Sequence, residues 1–218
     1  MARTRSDDKR RRILDAAVRV FARKGYFAAR VSDVARRAGV ADGTIYLYFR
    51  TKEDILVSLF DDVMKEHVAR GRDEVRRTPG AAAKLHKLAA RHLRLLGDNP
   101  DLAVVFQVEL RQSTKFMERF TASWFKDYLE LLTAAIEEGQ REGSLRAELP
   151  KRLLAKALFG ALDEMVTSWM LGRRNYDLAE LAVPVVELFL HGAQASQKAG
   201  APRPVLRAVA GRGGSGWR

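Results

Sequence analysis

Apolar side chains recur at helical spacing along almost the whole chain. From about Asp8 to Lys24 they share one face of a helix, and the pattern stops at Gly25. No segment shows the apolar–polar alternation of a half-buried strand, and proline is scarce outside the ends of these segments. The sequence therefore predicts an all-α protein of about nine helices.

Two further short helices follow within the first fifty residues. The second ends near Ala38, where Gly39 follows, and the third runs from about Asp42 to Tyr48. Three short helices, with a tight glycine turn between the last two, are typical of a helix-turn-helix module.

A long helix is expected to begin after Thr51, because threonine is a good N-cap and Glu53 and Asp54 would lie in the first turn. It should run to about Arg77. Further helices are predicted at about 80–96, 100–113, 114–141, 150–173 and 177–197, with a kink possible at Pro184. This division predicts a DNA-binding domain at 1–52, a larger helical ligand-binding and dimerisation domain at 53–197, and a basic, disordered tail at 198–218.

The charge is concentrated at the two ends. The whole chain of 218 residues has a net charge of +12; residues 1–52 carry +9, residues 198–218 carry +5, and the middle carries −2. Clustered Lys and Arg beside a folded motif favour polyanion binding, because neutralising phosphates releases condensed counterions. Basic residues that serve only solubility are the alternative.

Several classes of function are disfavoured. No cysteine is present, so a disulfide framework, a thiolate nucleophile and a zinc–thiolate site are excluded. The apolar stretches are shorter than the roughly 20 residues of a membrane span, so a cytoplasmic protein without a membrane partner is expected. His86 and His92 lack the i, i+4 spacing of a metal pair, and no nucleophile or phosphate-loop motif occurs. Glu109 and the pair Asp163 and Glu164 are interpreted as polar partners of arginine or backbone groups. The protein is therefore predicted to be no enzyme and to carry no metal or cofactor.

The third helix divides into an inner and an outer side. Ile45 and Phe49 are four residues apart and form the inner side, which leaves Thr44, Tyr46 and Tyr48 to face outwards. Tyrosine hydroxyls can donate to phosphates, and their rings can lie against thymine methyl groups. The stretch is therefore predicted to contact DNA.

The N-terminal segment resembles a known family. The stretches "DVARRAGV", "GTIYLYF" and "KEDIL", all between Arg12 and Leu56, are similar to the DNA-binding domain of TetR-family bacterial transcriptional regulators. The resemblance implies that a double-stranded DNA operator is the partner and that the helical remainder is a regulatory domain. It also implies a set of DNA contacts by residue: Thr44, Tyr46 and Tyr48 on DNA, Lys52 on a phosphate, and Ser32 and Gly43 close to the DNA backbone.

Two positions depart from the family pattern. Ala29 and Arg30 stand where the family often has two threonines, and Ala41 and Asp42 stand in place of Ser-Lys. Arg30, with the basic run Lys9 to Arg12, could restore the lost phosphate contacts. Asp42 could repel phosphate, accept from a cytosine amine, or cap the third helix; the cap is preferred.

A narrower resemblance concerns the regulatory domain. "VVFQVELRQS" (104–113) and "LFGALDEMVTSWML" (158–171) are similar to the acyl-CoA-responsive repressors of fatty-acid degradation within that family. This implies a long-chain acyl-CoA effector that releases the repressor from DNA. A regulator of efflux or of another lipid pathway, with a different hydrophobic ligand, is the alternative.

An acyl tunnel needs an apolar lining and cations at its mouth. Stripes such as Trp124–Tyr128 and Met165–Trp169 could supply the lining, although they are equally typical of ordinary core. The predicted ligand contacts are Phe106, Leu110, Trp124, Tyr128, Met165 and Trp169, with Arg111, Arg119 and Arg173 as phosphate partners.

The last two long helices carry apolar residues on more than one side, which favours a partner helix. In the family the final two helices form a two-fold dimer interface. The sequence therefore predicts a homodimer that binds a palindromic operator.

Overall fold

A computed structural model describes residues 5–112, 118, 124–172 and 175–193. Nine α-helices lie within these residues: α1 Arg5–Lys24, α2 Val31–Ala38, α3 Asp42–Tyr46, α4 Lys52–Arg76, α5 Ala81–Gly97, α6 Pro100–Val104, α7 Trp124–Arg141, α8 Lys151–Leu171 and α9 Ala182–Ala193. A π-helical segment, Val105–Glu109, and a 3₁₀ turn, Leu110–Gln112, continue α6, and a second 3₁₀ turn, Leu178–Leu181, precedes α9. The predicted all-α class is confirmed.

The first three helices form a small module at the N-terminus. α1 ends before Gly25 and α2 before Gly39, and both glycines have the positive φ (76° and 66°) that L side chains rarely adopt. Arg30 N–H donates to Asp33 Oδ2 (3.1 Å) at the start of α2. Ile45 and Phe49 are buried as predicted, so the short α3 is fixed by its inner face.

The expected helix cap at Asp42 is wrong. The N-cap of α3 is Ala41, whose backbone is extended (φ −68°, ψ 149°), and no side chain caps this helix. Asp42 is one residue too far along the chain, since its own backbone is already helical. Its exposed carboxylate lies in the first turn, where the helix dipole favours negative charge.

The long helix α4 leaves the module from Thr51, as predicted. Thr51 Oγ1 accepts from Asp54 N–H (3.0 Å), and Asp54 Oδ2 accepts in return from Arg50 N–H (3.1 Å). This reciprocal capping fixes the direction in which α4 departs. Its buried face, which includes Ile55 and Phe60, belongs to one core that extends from α1 to α9.

Two predicted helices differ from the structure. The helix expected at 100–113 is α-helical only to Val104 and is then a π-helix, in which an extra residue per turn changes the direction of the following side chains. The helix expected at 177–197 is a 3₁₀ turn followed by α9. Pro184 is the third residue of α9, where a missing N–H breaks no intrahelical bond, so no kink is needed.

No helix among the described residues is long and apolar enough to cross a membrane. Residues 194–218, which include the predicted basic tail, lie outside the described part of the chain.

Candidate DNA-binding surface and effector cavity

α3 presents its outer side to solvent. Tyr46 is 57% exposed, Thr44 is half-buried, and the half-buried Tyr48 accepts a hydrogen bond from Ser6 Oγ at 3.4 Å. Tyr48 is therefore held at the edge of the module, while the Tyr46 ring projects freely. Ser32 and Arg30, at the start of α2, are also exposed. The structure thus places these five predicted DNA contacts on the accessible surface of one module.

Gly43 has no packing role within the described part of the chain. A Cβ atom built there meets no described heavy atom within 4 Å, and the backbone does not have a positive φ. A glycine in a helix is unfavourable relative to alanine. Its presence is therefore consistent with the predicted close approach of the DNA backbone, which requires a missing side chain.

Lys52 is engaged inside the protein. Its Nζ donates to the carbonyl oxygens of Tyr26 (2.7 Å), Ala29 (2.9 Å) and Phe27 (3.2 Å), and lies 4.5 Å from the centroid of the Tyr26 ring. Partial burial lowers the pKa of this ammonium below its usual value. All three of its protons are used by carbonyls, so this structure leaves none for the predicted phosphate contact.

Two members of the basic run in α1 also have partners within the protein. Arg10 pairs with Asp62 of α4 and lies over the Phe49 ring, and Arg12 Nη2 donates to Ala38 O (2.7 Å) at the end of α2. These arginines therefore tie helices together in this structure. Compensation for the missing phosphate contacts by the run Lys9 to Arg12 stays a prediction, in which Arg10 and Arg12 would have to exchange these partners for phosphate.

Sequence reasoning missed two exposed apolar residues of the module. Leu47, directly after α3, is 82% exposed, and Phe27, between α1 and α2, is 64% exposed. The four-residue pairs Ile45–Phe49 and Thr44–Tyr48 do not include Leu47, so this spacing gives no signal for it. Its neighbour Tyr46 is also exposed, at 57%, so both side chains are accessible to a partner surface.

A small cavity, here called the inner cavity, lies between α4, α5, the π-helical segment, α7 and α8. Its volume is about 80 Å³. It is lined by apolar and aromatic side chains interrupted by a few polar ones: Met64, His67, His92, Leu95, Leu96, Phe106, Gln107, Arg111, Phe125, Tyr128, Phe159 and Asp163. Three of the predicted ligand residues, Phe106, Tyr128 and Arg111, are among them.

The polar lining is organised around Asp163. Its carboxylate accepts from Arg111 Nη2 (2.7 and 2.8 Å) and from Gln107 Nε2 (2.9 Å). Glu164 accepts from Ser168 Oγ (2.9 Å) on the outer side of the same helix. The interpretation of these acids as polar partners of arginine or backbone groups is confirmed for Asp163, whereas the partner of Glu164 is a serine hydroxyl. It also means that Arg111 is already paired.

The other predicted ligand residues are not in this lining. Met165 and Trp169 follow Asp163 on α8 by two and six residues, about 200° and 240° around the helix, so they face other directions. Trp169 Nε1 instead donates to Tyr176 O (3.1 Å). Ligand contact by Met165 and Trp169 stays a prediction, and the inner cavity as it stands does not include them. Arg119 and Arg173, and the side chains of Leu110 and Trp124, lie outside the described structure.

Burial sets the protonation of two histidines in the cavity. Desolvation, followed by repulsion from His92 and Arg91, lowers the pKa of His67 to about 3. Desolvation likewise lowers the pKa of His92 to about 4, against a weaker opposing effect of Asp163. Burial also raises the pKa of the Tyr128 hydroxyl above its usual value. These three side chains are therefore uncharged at neutral pH.

A larger cleft, here called the charged groove, opens beside the inner cavity. Its volume is about 880 Å³, and it lies between α1 of the N-terminal module and α4, α5 and the start of α6. His67 and Leu95 line both spaces, so the two are neighbours. Six basic and five acidic side chains border the groove, and three of the basic ones form a stripe on α5: Lys87, Arg91 and Arg94. Arg91 is held by Glu74, and this hydrogen bond is the main cause that lowers the pKa of Glu74.

The π-helical segment touches both the inner cavity and the N-terminal module. Phe106 and Gln107 line the cavity, whereas the buried carboxylate of Glu109 accepts from Tyr26 N–H at 2.6 Å. Gln112 Nε2 donates to the same oxygen of Glu109 (3.3 Å). A Cβ on Gly25 would lie 3.8 Å from this carboxylate, so the turn after α1 approaches it closely. One short segment therefore connects the two regions directly.

α8 and α9 expose apolar surface. Leu188 is 77%, Leu171 76%, Val183 58% and Leu153 55% exposed. Between Leu153 and Leu171, small exposed residues such as Ala157, Gly160 and Ala161 follow one side of α8. Leu154 and Leu158 of the same helix are buried in the core. The free surface lies on the opposite side of the helix.

Two segments of the chain match known protein families. Residues 13–59 match the family model "Bacterial regulatory proteins, tetR family", and residues 60–192 match "YsiA-like protein, C-terminal region". A fatty acid metabolism regulator protein of Bacillus subtilis (strain 168) is 41% identical over 180 residues, which is 83% of this chain and 93% of that protein.

Solved structures agree with this match. FadR from Bacillus subtilis in complex with stearoyl-CoA has a TM-score of 0.80 at 40% identity, and covers 84% of this chain and 99% of its own. The fatty acid degradation regulator FadR from Bacillus halodurans has a TM-score of 0.80 at 42% identity, with the same coverage.

Proposed function

Because this chain belongs to the TetR family of bacterial transcriptional regulators, we propose that it represses transcription as a homodimer and leaves its palindromic operator when it binds a long-chain acyl-CoA. One observation supports acyl-CoA as the class of ligand. An apolar cavity adjoins a groove with a basic stripe, in a chain 40% identical to a regulator solved with stearoyl-CoA.

The proposed DNA contacts come from the exposed side of the N-terminal module. Thr44, Tyr46 and Tyr48 face the major groove, with Gly43 against the DNA backbone and Ser32 and Arg30 near phosphates. Leu47 joins this set, because an exposed apolar side chain can contact a thymine methyl group. Lys52 acts by fixing α4 to the module, and it reaches a phosphate only if it releases a carbonyl.

The two parts of an acyl-CoA need different surroundings. The phosphates need cations, which Lys87 and Arg94 of the groove provide, while Arg91 keeps its pair with Glu74. The chain needs apolar surface, which the inner cavity provides. A volume of about 80 Å³ is far below the 300–1,000 Å³ of typical ligand pockets, so the cavity must widen to hold a long chain.

Widening of the inner cavity would also affect the N-terminal module. Phe106 and Gln107 line the cavity and Glu109 holds the Tyr26 amide, so a shift of the π-helical segment moves or breaks this hydrogen bond. A ligand can change an equilibrium only by binding one state more tightly than the other. The acyl chain is proposed to favour the state in which the segment has moved.

The homodimer is proposed to form through the exposed sides of α8 and α9. The small residues on α8 allow close approach of a second helix, and Leu171, Val183 and Leu188 supply apolar area. Each dimer then presents two recognition helices, α3, to half-sites about one or two DNA turns apart.

The test measures DNA release directly. A duplex selected from a randomised pool is labelled, and fluorescence anisotropy follows its release by hexadecanoyl-CoA, with hexadecanoate and free CoA as controls. Only the thioester should release DNA. Release by none of the three, or equally by free CoA, refutes the acyl-CoA proposal.

A matched pair of variants tests the groove. Lys87→Ala with Arg94→Ala should raise the acyl-CoA concentration needed for half release by about tenfold, since each lost phosphate contact removes a charge-assisted hydrogen bond. Arg76→Ala is the control, because Arg76 is an exposed arginine of α4 that does not line the groove. Equal effects of the two variants would place the phosphates elsewhere.

A further inference from the structure

The inner cavity has a polar wall that saturated hydrocarbon does not match. Four buried polar atoms on it have no hydrogen-bond partner within the part of the chain that the structure describes: His67 Nε2, His92 Nε2, Gln107 Oε1 and Tyr128 Oη. Their side chains are 5%, 8%, 8% and 1% exposed. Buried polar atoms are nearly always paired, so a group of four at one cavity calls for a polar ligand.

The four side chains are close to one another. The His67 ring centroid lies 5.2 Å from that of Tyr128, and the His92 ring stacks on Tyr128 at 5.6 Å. Gln107 approaches from the π-helical segment, and its amide orientation is determined: Nε2 donates to Asp163, which can only accept, so Oε1 is the free atom. The cluster therefore offers a group that can donate, the Tyr128 hydroxyl, and an atom that can only accept, Gln107 Oε1.

The chemistry of the cluster favours a neutral partner. Both histidines and the tyrosine are uncharged at neutral pH, and Arg111, the cation of this lining, is paired with Asp163. A buried carboxylate would lack a countercharge here, whereas a hydroxyl or carbonyl oxygen can be accommodated by hydrogen bonds alone.

The position of the cluster indicates which part of the ligand it meets. His67 borders both the charged groove and the inner cavity. If the phosphates occupy the groove, as the proposed function requires, the first carbons of the chain pass His67. The polar wall then lies near the thioester end of the chain.

An unsubstituted acyl thioester satisfies this wall only in part. Its carbonyl oxygen accepts from a histidine or from Tyr128, but it has no donor for Gln107 Oε1. A hydroxyl group two carbons from the carbonyl both donates and accepts. We propose that His67, His92, Gln107 and Tyr128 form a subsite for such a hydroxyl, so that 3-hydroxyacyl thioesters are preferred over saturated thioesters of equal length.

Calorimetric titration of the full-length protein with a matched set of ligands tests this. Hexadecanoyl-CoA, 3-oxohexadecanoyl-CoA and 3-hydroxyhexadecanoyl-CoA share headgroup and chain length. The 3-hydroxy ligand should have a Kd about tenfold lower than the saturated one, with the 3-oxo ligand between them because it only accepts.

Two variants with opposite expectations locate the effect. Tyr128→Phe removes one hydroxyl and should reduce the ratio of the saturated to the 3-hydroxy Kd towards one. Phe125→Leu, an apolar change in the same lining, should alter both Kd values alike and preserve the ratio. Should Tyr128→Phe not fold, ring-nitrogen NMR of the wild-type histidines replaces it: the 3-hydroxy ligand alone should shift a His67 or His92 resonance.

Each outcome separates the two proposals. Equal Kd values for the three ligands, or a preference for the saturated one, overturn the hydroxyl subsite while the acyl-CoA proposal stands. If no thioester binds at any chain length, the proposed function itself fails. A preserved ratio in Tyr128→Phe also overturns the assignment of this wall.

Discussion

Acidification between pH 7 and pH 5 should destabilise this protein through His67 and His92. Both are buried and neutral, with pKa values of about 3 and 4 against an ordinary value of 6.5. Below pH 6.5 the unfolded chain binds protons at these two sites while the folded chain does not. The free energy of unfolding is therefore unaffected above pH 6.5 and falls as the pH drops towards 4.

The size of the effect follows from the pKa differences. Each histidine destabilises the fold by about 1.4 kcal/mol per pH unit below 6.5, hence about 2 kcal/mol at pH 5 and about 4 kcal/mol for the two together. Arg91 lowers the pKa of Glu74, and Lys151 lowers that of Glu137. Protonation of these two carboxylates therefore reduces the free energy of unfolding chiefly below their ordinary pKa of 4.5. The interval from pH 6.5 to 5 thus reports mainly on the histidines.

Urea unfolding followed by far-UV circular dichroism, at one fixed protein concentration, measures this. With a urea dependence of about 2.5 kcal/mol/M, the midpoint should fall by about 1.5 M between pH 7 and pH 5. The double variant His67→Gln, His92→Gln should have a much flatter profile. A wild-type midpoint that does not change, or a variant with the wild-type slope, refutes the assignment of neutral buried histidines.

Three further predictions concern the module, the connection and the dimer. Gly43→Ala should raise the free energy of unfolding by up to about 1 kcal/mol, because the new methyl group meets no described atom and alanine favours the helix. The same change should weaken operator binding in a gel shift. Unchanged DNA affinity would remove Gly43 from the contact surface. Glu109→Gln keeps the shape but weakens the bond to the Tyr26 amide, so it should lower the acyl-CoA concentration needed for DNA release in anisotropy; a higher requirement would contradict the proposed connection. Leu188→Asp should produce monomers in analytical ultracentrifugation, whereas Leu47→Asp, an equally exposed leucine on the other module, should not; dimers in both would place the interface elsewhere.

The N-terminal module was largely predictable because its signals are local. Glycine ends two of its helices, and Thr51 with Asp54 caps α4, all within a few residues of the boundary. The inward positions of Ile45 and Phe49 followed from a four-residue spacing. Asp42 was misplaced because a boundary error of one residue exchanges an N-cap for a first-turn position.

The cavity was less predictable because its signals are distant in sequence. "VFQVELRQ" has the spacing of an ordinary α-helix, and the π-helical turn accompanies a contact between Glu109 and Tyr26, 83 residues apart. His67 and His92 lie 25 positions apart, so spacing gave no reason to join them. The stripe Lys87, Arg91 and Arg94 is visible in the sequence, but the same pattern describes any solvated helix face. Contact with DNA or ligand remains a prediction for every site residue named.

The three carbonyl bonds of Lys52 make the first turn of α4 and the loop from Tyr26 to Ala29 one rigid unit. With 25 residues, α4 is a lever about 37 Å long. A tilt of about 5° at its far end, beside α5, therefore displaces α3 by about 3 Å, which in the proposed symmetric dimer becomes about 6 Å between the two copies of α3. That distance is a large fraction of the roughly 12 Å width of a major groove, so under the proposed function a tilt of this size is enough to take the two copies of α3 out of register with successive grooves.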